Sequence, residues 1–303
     1  MKTITAESEP RFDWLALTEA LAAGHELARP QLQDVVLERA PDTMLSRHAW
    51  IDGLGALVKT AMVFPENARL QRPSVNGGVT LYSDRTGEAV ASVDFRLLTK
   101  WKTAATSLLA ARRLARPESG EILIIGAGTV ARSMIEAYGA AFPGARLAIW
   151  NRNRARAEAL AAEFPPGHLR LADDLPKAVA AADIIATCTM SETPVIRGAW
   201  LREGQHLDLI GAYLPSMREV DDEAMRRARV FVDCYDTTLD HIGELMAPIA
   251  SGAITRADVL ADFRDLGSGR FARLSDDEIT LCKNGGGAHL DLMTADYMLR
   301  AIG

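Results

Sequence analysis

The chain has 303 residues, of which 48% are hydrophobic and 24% charged, and its formal net charge is −6. This length is sufficient for two domains with separate cores, and the composition is that of an ordinary globular enzyme. The acidic balance argues against nucleic acid or an anionic membrane surface as the main partner. No apolar run approaches the roughly 20 residues of a membrane-spanning helix. The first residues lack the apolar core of a signal peptide, which predicts a cytoplasmic protein.

Cysteine and histidine spacing predicts neither a disulfide framework nor a metal site. The 3 cysteines are widely separated and form no Cys-x-x-Cys motif. The 6 histidines show none of the spacings that zinc sites use. We therefore expect no metal.

The first part of the chain combines helices with strands. Apolar residues recur at helical spacing over residues 11–29. Strands are predicted over residues 56–64, 78–82 and 89–95, with a hairpin turn at 83–88. Residues 103–115 have strong helix propensity, and the break at 116–120 is the predicted domain boundary.

A glycine-rich turn follows this boundary. A short apolar run, predicted to be a buried strand, ends in a Gly-x-Gly-x-x-Ala pattern formed by Gly126, Gly128 and Ala131. Gly126 permits a tight turn, Gly128 lets the backbone approach a phosphate, and Ala131 lets the following helix pack on the strand. The N–H groups of Thr129 and Val130 and the helix dipole favour an anion. An ordinary strand–helix turn is the alternative, but the flanking pattern favours dinucleotide binding.

The residues after the second strand, 146–150, bear on the type of dinucleotide. NAD-specific sites usually place Asp or Glu there to bind the ribose 2′-hydroxyl. This chain has Asn151 and Arg152 instead, with Arg156 one helical turn further on. Arginines can clamp a 2′-phosphate, although a solvated basic helix start would look similar. The pattern predicts NADPH, with NADH as a weaker alternative and Arg152 as the main contact.

Helices and strands alternate through the rest of the chain. Helices are predicted at 155–164 and 175–182, and strands at 183–188, 206–210, 229–233 and 279–283. A final helix is predicted at 288–302. Such alternation predicts a Rossmann doubly wound parallel sheet. With the mixed helices and strands of the first part of the chain, the expected fold class is α/β, a Rossmann sheet plus an α+β domain.

Five motifs carry a resemblance to a known family. They are Val58-Lys59 with Val63–Asn67, Leu98–Ser107, the Gly126–Ala131 turn, Thr187–Ser191 and Gly211–Glu219. With these motifs the chain resembles the ornithine cyclodeaminase/mu-crystallin family over nearly its whole length. The Lys-Thr-Ala-Ala-Thr-Ser stretch is more specific than the dinucleotide turn, because its position, neighbours and order all match.

The resemblance implies a domain organisation and a homodimer. Residues 1–116 together with 288–303 would bind substrate and dimerise, and residues 117–287 would form the dinucleotide-binding Rossmann domain. Further cofactor contacts are implied at Thr187, Thr189 and Gly211.

The resemblance also implies substrate-binding residues. Family members usually have Arg at the position of Lys102, where it pairs with the substrate carboxylate. Lysine keeps the charge and loses the bidentate fork, so Arg47 is a candidate to share this role. Lys59 matches the family's substrate-site lysine, and a lysine on an otherwise apolar strand is costly unless it is paired. The alternative for Lys102 is a solvated lysine at a helix start.

Tyr213 decides between branches of the family. Cyclodeaminases have Asp at this position, whereas a phenol with a pKa near ~10 is a poor general base and a fair proton donor. Together with Arg152, this favours a reductase. The Gly211–Glu219 run most resembles the Δ1-pyrroline-2-carboxylate reductases of trans-3-hydroxy-L-proline degradation.

The expected reaction is therefore NADPH-dependent reduction of Δ1-pyrroline-2-carboxylate, a small cyclic imino acid, to L-proline. Δ1-Piperideine-2-carboxylate, which would give L-pipecolate, differs by one methylene worth about 1–3 kcal/mol, so ring size stays open. The alternatives are an ornithine cyclodeaminase or alanine dehydrogenase of the same family. A mu-crystallin-like NADPH-dependent ligand-binding protein is the alternative outside catalysis.

Overall fold

The computed structural model describes the backbone of residues 1–303 and every side chain except that of Ala68. The strands are β1 Lys2–Ile4, β2 Gln31–Arg39, β3 Asp42–Ile51, β4 Gly55–Val63, β5 Val75–Tyr82, β6 Ala89–Asp94, β7 Glu121–Ile125, β8 Arg146–Trp150, β9 Leu169–Leu171, β10 Ile184–Thr187, β11 His206–Leu209, β12 Ala228–Val232 and β13 Ile279–Lys283. The α-helices are α1 Trp14–His25, α2 Phe95–Leu114, α3 Thr129–Ala141, α4 Arg154–Ala161, α5 Leu175–Ala181, α6 Asp222–Arg227, α7 Tyr235–Thr238, α8 Gly243–Ala250 and α9 Ala288–Ala301. Short 3-10 helices lie at Ala6–Arg11, Pro65–Leu70, Gly198–Trp200, Arg256–Asp258 and Phe263–Asp265.

The chain divides into two compact units. Residues 1–102 and 287–303 form the first unit, and residues 103–286 form the second. The division falls within α2, whereas the sequence analysis placed the domain boundary at residue 116. The sequence signal at 116–120 directly follows the end of α2 at Leu114, and the domain bounds predicted from the sequence stay a prediction.

The first unit contains a mostly antiparallel sheet in the order β1-β6-β5-β4-β3-β2. Strand β1 pairs with β6 in parallel, and the other neighbours are antiparallel. The predicted hairpin between β5 and β6 is confirmed, with Gly87 at a φ of 69° in its turn. Helices α1 and α9 pack closely at Gly24, where a Cβ would lie only 2.6 Å from Sδ of Met293. Helix α2 starts earlier than predicted, since Asp94 Oδ1 accepts hydrogen bonds from the N–H groups of Arg96 and Leu97.

The second unit contains a parallel sheet in the order β12-β13-β11-β10-β7-β8-β9. This confirms the predicted doubly wound α/β fold. Strand β7 lies inside the sheet, between β10 and β8, and its residues Ile122–Ile125 are buried, as in a strand that helices cover on both faces. From β7 the chain proceeds to β8 on one side, and later to β10 on the other. Ligands bind at such a reversal, outside the carboxyl ends of the strands.

Two further properties concern the described residues as a whole. No helix among them is both long and apolar enough to cross a membrane. No group of three or more His, Cys, Asp or Glu side chains within the described part of the chain could hold a metal ion.

Candidate active site

Lys59 lies on the buried face of the first unit's sheet. Alternate residues of β4 point into the core, so Lys59 shares its face with Leu57 and is only 6% exposed. Its Nζ donates to Oδ1 of Asp291 at 2.8 Å and to Oγ1 of Thr99 at 3.0 Å. The ammonium also lies 4.9 Å from the centroid of the Phe95 ring. The polar cost of burying this lysine is therefore offset mainly by a carboxylate on α9.

Arg47 and Lys102 join the same electrostatic group. Arg47 is directly opposite Lys59 in the β3–β4 register, and its guanidinium forms an ion pair with Asp34 at 2.8 Å. Lys102 is 9% exposed, and its charge acts on the carboxylate of Asp291. We call Arg47, Lys59 and Lys102 with Asp291 the cation cluster. The structure thus brings together the three cations that were predicted to contact substrate.

Asp291 of the cation cluster and the neighbouring His289 both have shifted pKa values. Burial raises the pKa of Asp291, but the charges of Lys59 and Lys102 outweigh it and hold that pKa below its usual range. Burial, with the charges of His25 and Lys102, lowers the pKa of His289 to about 3. Asp291 is therefore ionised and His289 neutral near neutral pH. Among the described side chains, Oδ2 of Asp291 and Nδ1 of His289 are buried without a hydrogen-bond partner.

The glycine-rich turn of the second unit has the geometry that a dinucleotide needs. Gly126 has a φ of 125°, and a Cβ there would lie 3.0 Å from the carbonyl oxygen of Cys188. Gly128 caps α3 without a side-chain hydrogen bond, and a Cβ there would meet nothing within 4 Å. Ala131 is fully buried where α3 packs on β7. The N–H groups at this open helix start, which belong to Thr129 and Val130, fit a pyrophosphate.

The residues after β8 are arranged for solvent or ligand contact. Arg152 and Arg156 are exposed, and in the described part of the chain neither forms an ion pair, whereas Asn151 Nδ2 donates to a nearby backbone carbonyl. Arg154 instead pairs with the carboxylates of Glu158 and Asp173. Two arginines are thus available to an incoming anion, and the third is already engaged.

The loops after β10 and β11 complete this edge of the sheet. Thr187 is directly opposite Ile125 in the parallel register, fully buried, and its Oγ1 has no hydrogen-bond partner in the described structure. Thr189 and Gly211 follow the two strands and are joined through the side chain of Glu219. We call the Gly126–Ala131 turn together with these two loops the dinucleotide edge.

Tyr213 lies in the loop that follows β11. Its side chain is 56% exposed, next to Leu214, which is 42% exposed. The phenol makes no hydrogen bond with the residues that the structure describes. It is therefore accessible to a ligand, as a proton donor would have to be.

Comparison with known proteins places these features in a family. A sequence model of the ornithine cyclodeaminase/mu-crystallin family matches residues 48–301. The chain belongs to that family. It is 50% identical over 296 residues to a Δ1-pyrroline-2-carboxylate reductase of Paracoccus denitrificans, covering 96% of this chain and 94% of that protein.

Two solved structures share the fold along almost the whole chain. One is the Thermococcus litoralis Δ1-pyrroline-2-carboxylate reductase in complex with NADH and L-proline, with a TM-score of 0.90, 24% identity and coverage of 99% and 97% of the two chains. The other is an archaeal alanine dehydrogenase dimer with bound NAD, with a TM-score of 0.89, 26% identity and coverage of 99% and 95%.

Sequence reasoning missed two buried acids. Asp291 lies on the final helix, far along the chain from Lys59, and the only signal was that a lysine in an apolar strand requires an anion. Glu219 closes the Gly211 motif, but its contact with Thr189 exists only in the folded chain. Both acids make their contacts with residues that are distant in the sequence, so the contacts could not be predicted before the fold was known.

Proposed function

We propose that the chain is an NADPH-dependent reductase that converts Δ1-pyrroline-2-carboxylate to L-proline. Δ1-Piperideine-2-carboxylate, whose ring has one more methylene, is to be tested beside it. One observation carries this proposal: a reductase of that name is 50% identical to the chain over 94% of its own length. The proposal includes the role in trans-3-hydroxy-L-proline degradation that the sequence resemblance implies.

The cation cluster is the proposed site for the substrate carboxylate. Lys59, Lys102 and Arg47 gather positive charge where burial strengthens its attraction for an anion. Asp291 holds the Lys59 ammonium in one position. Its second oxygen, which has no partner among the described residues, is a suitable acceptor for the N–H of a protonated imine.

The reaction requires a proton and a hydride. When bound, the cofactor supplies hydride from C4 of its nicotinamide. The chain's task is to keep the imine nitrogen protonated, which makes the adjacent carbon electrophilic, and to orient the ring by its carboxylate. Tyr213 is the proposed proton or hydrogen-bond donor, because a phenol can donate near neutral pH and cannot readily act as a base.

The preference for NADPH is part of the proposal. Arg152 and Arg156 are exposed and without ion pairs in the described chain, and Asn151 introduces no negative charge beside them. A 2′-phosphate would gain charge-assisted hydrogen bonds from these arginines, whereas a 2′-hydroxyl would gain less.

One assay tests the proposal. The purified chain is supplied with each cyclic imine and either NADPH or NADH, and cofactor oxidation is followed by absorbance. A parallel reaction contains L-ornithine and scores ammonia. We expect NADPH oxidation with Δ1-pyrroline-2-carboxylate and no ammonia from ornithine. Ornithine-dependent ammonia release at a comparable rate would instead support a cyclodeaminase, and tight imine binding without turnover would support a mu-crystallin-like binding protein.

A further inference from the structure

Glu219 makes an unusual set of contacts for an acid with no direct place in the proposed chemistry. Its side chain is fully buried. Oε1 accepts hydrogen bonds from the N–H of Thr189 at 2.8 Å and from its hydroxyl at 2.7 Å. Oε2 accepts from the N–H groups of Gly211 at 2.8 Å and Ala212 at 3.2 Å. One carboxylate therefore satisfies four donors from two loops.

The two loops approach each other at backbone distance. Thr189 lies two residues after β10 and Gly211 two residues after β11, so both belong to the dinucleotide edge. A Cβ on Gly211 would lie 2.0 Å from the carbonyl oxygen of Thr189 and 2.4 Å from Oε1 of Glu219. There is no room for a side chain between the loops, and the carboxylate supplies the connection instead.

A second buried acid holds Glu219 itself. Glu244 on α8 accepts from the N–H of Glu219 at 2.8 Å and from the N–H of Val220 at 3.0 Å. Burial and the neighbouring charge of Glu219 raise the pKa of Glu244 above its usual range. Because the backbone of Glu219 is fixed in this way, its side chain has a defined position from which to bind the loops.

We propose that Glu219 is a positioning residue that fixes the loops after β10 and β11 in the conformation that binds the dinucleotide cofactor. That the loops bind the cofactor rests on the proposed function. That Glu219 joins the loops rests on the geometry alone. Only an ionised carboxylate offers two oxygens that accept and never donate. If a donor group replaces one carboxylate oxygen of Glu219, two donors face each other and the hydrogen bond to that loop is lost. The loops are then no longer held in the conformation that binds the cofactor.

The variant Glu219→Gln tests this directly, because it preserves size and places an NH2 group against one pair of donors. The matched control is Asp183→Asn. Asp183 lies at the amino end of β10, and its Oδ2 likewise accepts from the N–H groups of Gly120 at 2.8 Å and Glu121 at 3.0 Å. The control therefore loses a carboxylate connection at the opposite end of the strands, together with the ion pairs that Oδ1 of Asp183 forms with Arg116 and Arg202.

Hydrogen exchange and NADPH affinity are the two measurements. In E219Q we expect faster exchange of the amides of Thr189, Gly211 and Ala212, and an increase of about tenfold in the Kd for NADPH. With imine present, the KM for NADPH rises more than the KM for the imine. D183N is expected to accelerate exchange only near its own position and to leave the Kd for NADPH unchanged.

Each outcome is decisive for one part of the inference. Wild-type exchange in E219Q would overturn the connection between the loops. Faster exchange with unchanged NADPH affinity, or an equal loss of affinity in D183N, would overturn the positioning role. Wild-type protein that fails to bind NADPH would overturn the proposed function while the exchange measurement still decides the connection. If E219Q does not fold, Thr189→Val removes one donor, and we expect about a threefold weaker NADPH affinity with faster exchange at Thr189; unchanged values would overturn the proposal.

Discussion

At the scale of single residues, the pairing of Lys59 with Asp291 shows how a charge that we propose to bind substrate is kept inside a core. Both side chains are almost completely buried, and their 2.8 Å contact joins β4 to α9. Removal of one partner leaves an uncompensated buried charge, which costs about 3–5 kcal/mol, whereas removal of both does not. Structural and catalytic roles of the pair can therefore be separated.

We expect Lys59→Met to lower both stability and catalytic efficiency. The double variant K59M/D291N should recover part of the lost stability, because the Lys59–Asp291 pair is removed as a whole although Lys102 and Arg47 lose the same carboxylate. It should stay at least about tenfold less efficient than the wild type, since the proposed contacts with the substrate carboxylate and the imine N–H are absent. Thermal unfolding and imine-reduction kinetics measure the two effects. A double variant with wild-type kinetics would give Lys59 a structural role only.

Arg152 and Arg154 provide a matched pair for cofactor preference. Arg152 is exposed without an ion pair in the described chain, and Arg154 is held by two carboxylates. Arg152→Ala should raise the KM for NADPH by about tenfold and change the KM for NADH little, because only NADPH carries the 2′-phosphate. Arg154→Ala should leave the NADPH:NADH ratio unchanged. Equal effects of R152A on both cofactors would contradict the assignment.

At the scale of elements, the turn between β7 and α3 assigns different tasks to its two glycines. Gly126 has a positive φ, and its Cα faces the backbone of Cys188. Gly128 has an ordinary extended conformation, with a φ of −103°, and open space before it. The fold requires the first glycine, whereas nothing in the fold requires the second, which we propose leaves room for a ligand at the start of α3.

The two alanine variants should therefore behave differently. Gly126→Ala is expected to destabilise the protein by about 1–3 kcal/mol, because it combines a positive φ with a close Cβ contact. Gly128→Ala should unfold at the wild-type temperature and bind NADPH at least about tenfold more weakly, since its Cβ occupies the approach to the phosphate. Thermal melts and NADPH titrations of both variants test this. Wild-type affinity in G128A would place the pyrophosphate elsewhere.

Elements with a clear periodic pattern were predictable from the sequence. Strand β13 was predicted with its observed bounds, and the glycine turn was found between the predicted strand and helix. The start of α2 was misplaced by eight residues, at 103 instead of 95, because the cap depends on the side chain of Asp94. Helices α7 and α8 were not predicted, since each is short and lies among residues without a sustained period.

The site was predictable in part, for a related reason. Lys59 stands out in the sequence as a lysine in an apolar strand, whereas Lys102 and Arg47 were named from the family resemblance. Asp291 and Glu219 do not stand out, because an isolated acid on a helix or loop is usually solvated. Their importance comes from partners far away in sequence, and only the fold brings those partners within hydrogen-bond distance.

At the scale of the whole molecule, the edge strand β2 has the features of a strand that contacts another chain. It pairs only with β3, and all nine of its residues are exposed. Val36 is 53% exposed and Leu37 is 57% exposed, although they point to opposite faces of the sheet. Apolar edge strands of this kind favour association with another chain. We expect two copies of the chain to associate through β2.

The mass in solution tests this expectation. In analytical ultracentrifugation the wild type should have a molecular mass twice the 32.8 kDa of one chain. The double variant V36K/L37K should sediment as a single chain, because two buried charges at a contact between copies would each lack a partner. Leu274→Lys is the matched control, since Leu274 is an equally apolar side chain, 72% exposed, in the second unit. It should leave the mass unchanged. If V36K/L37K keeps the mass of the wild type in solution, the contact between copies does not lie at β2. If V36K/L37K and L274K both lose association, the cause is general destabilisation.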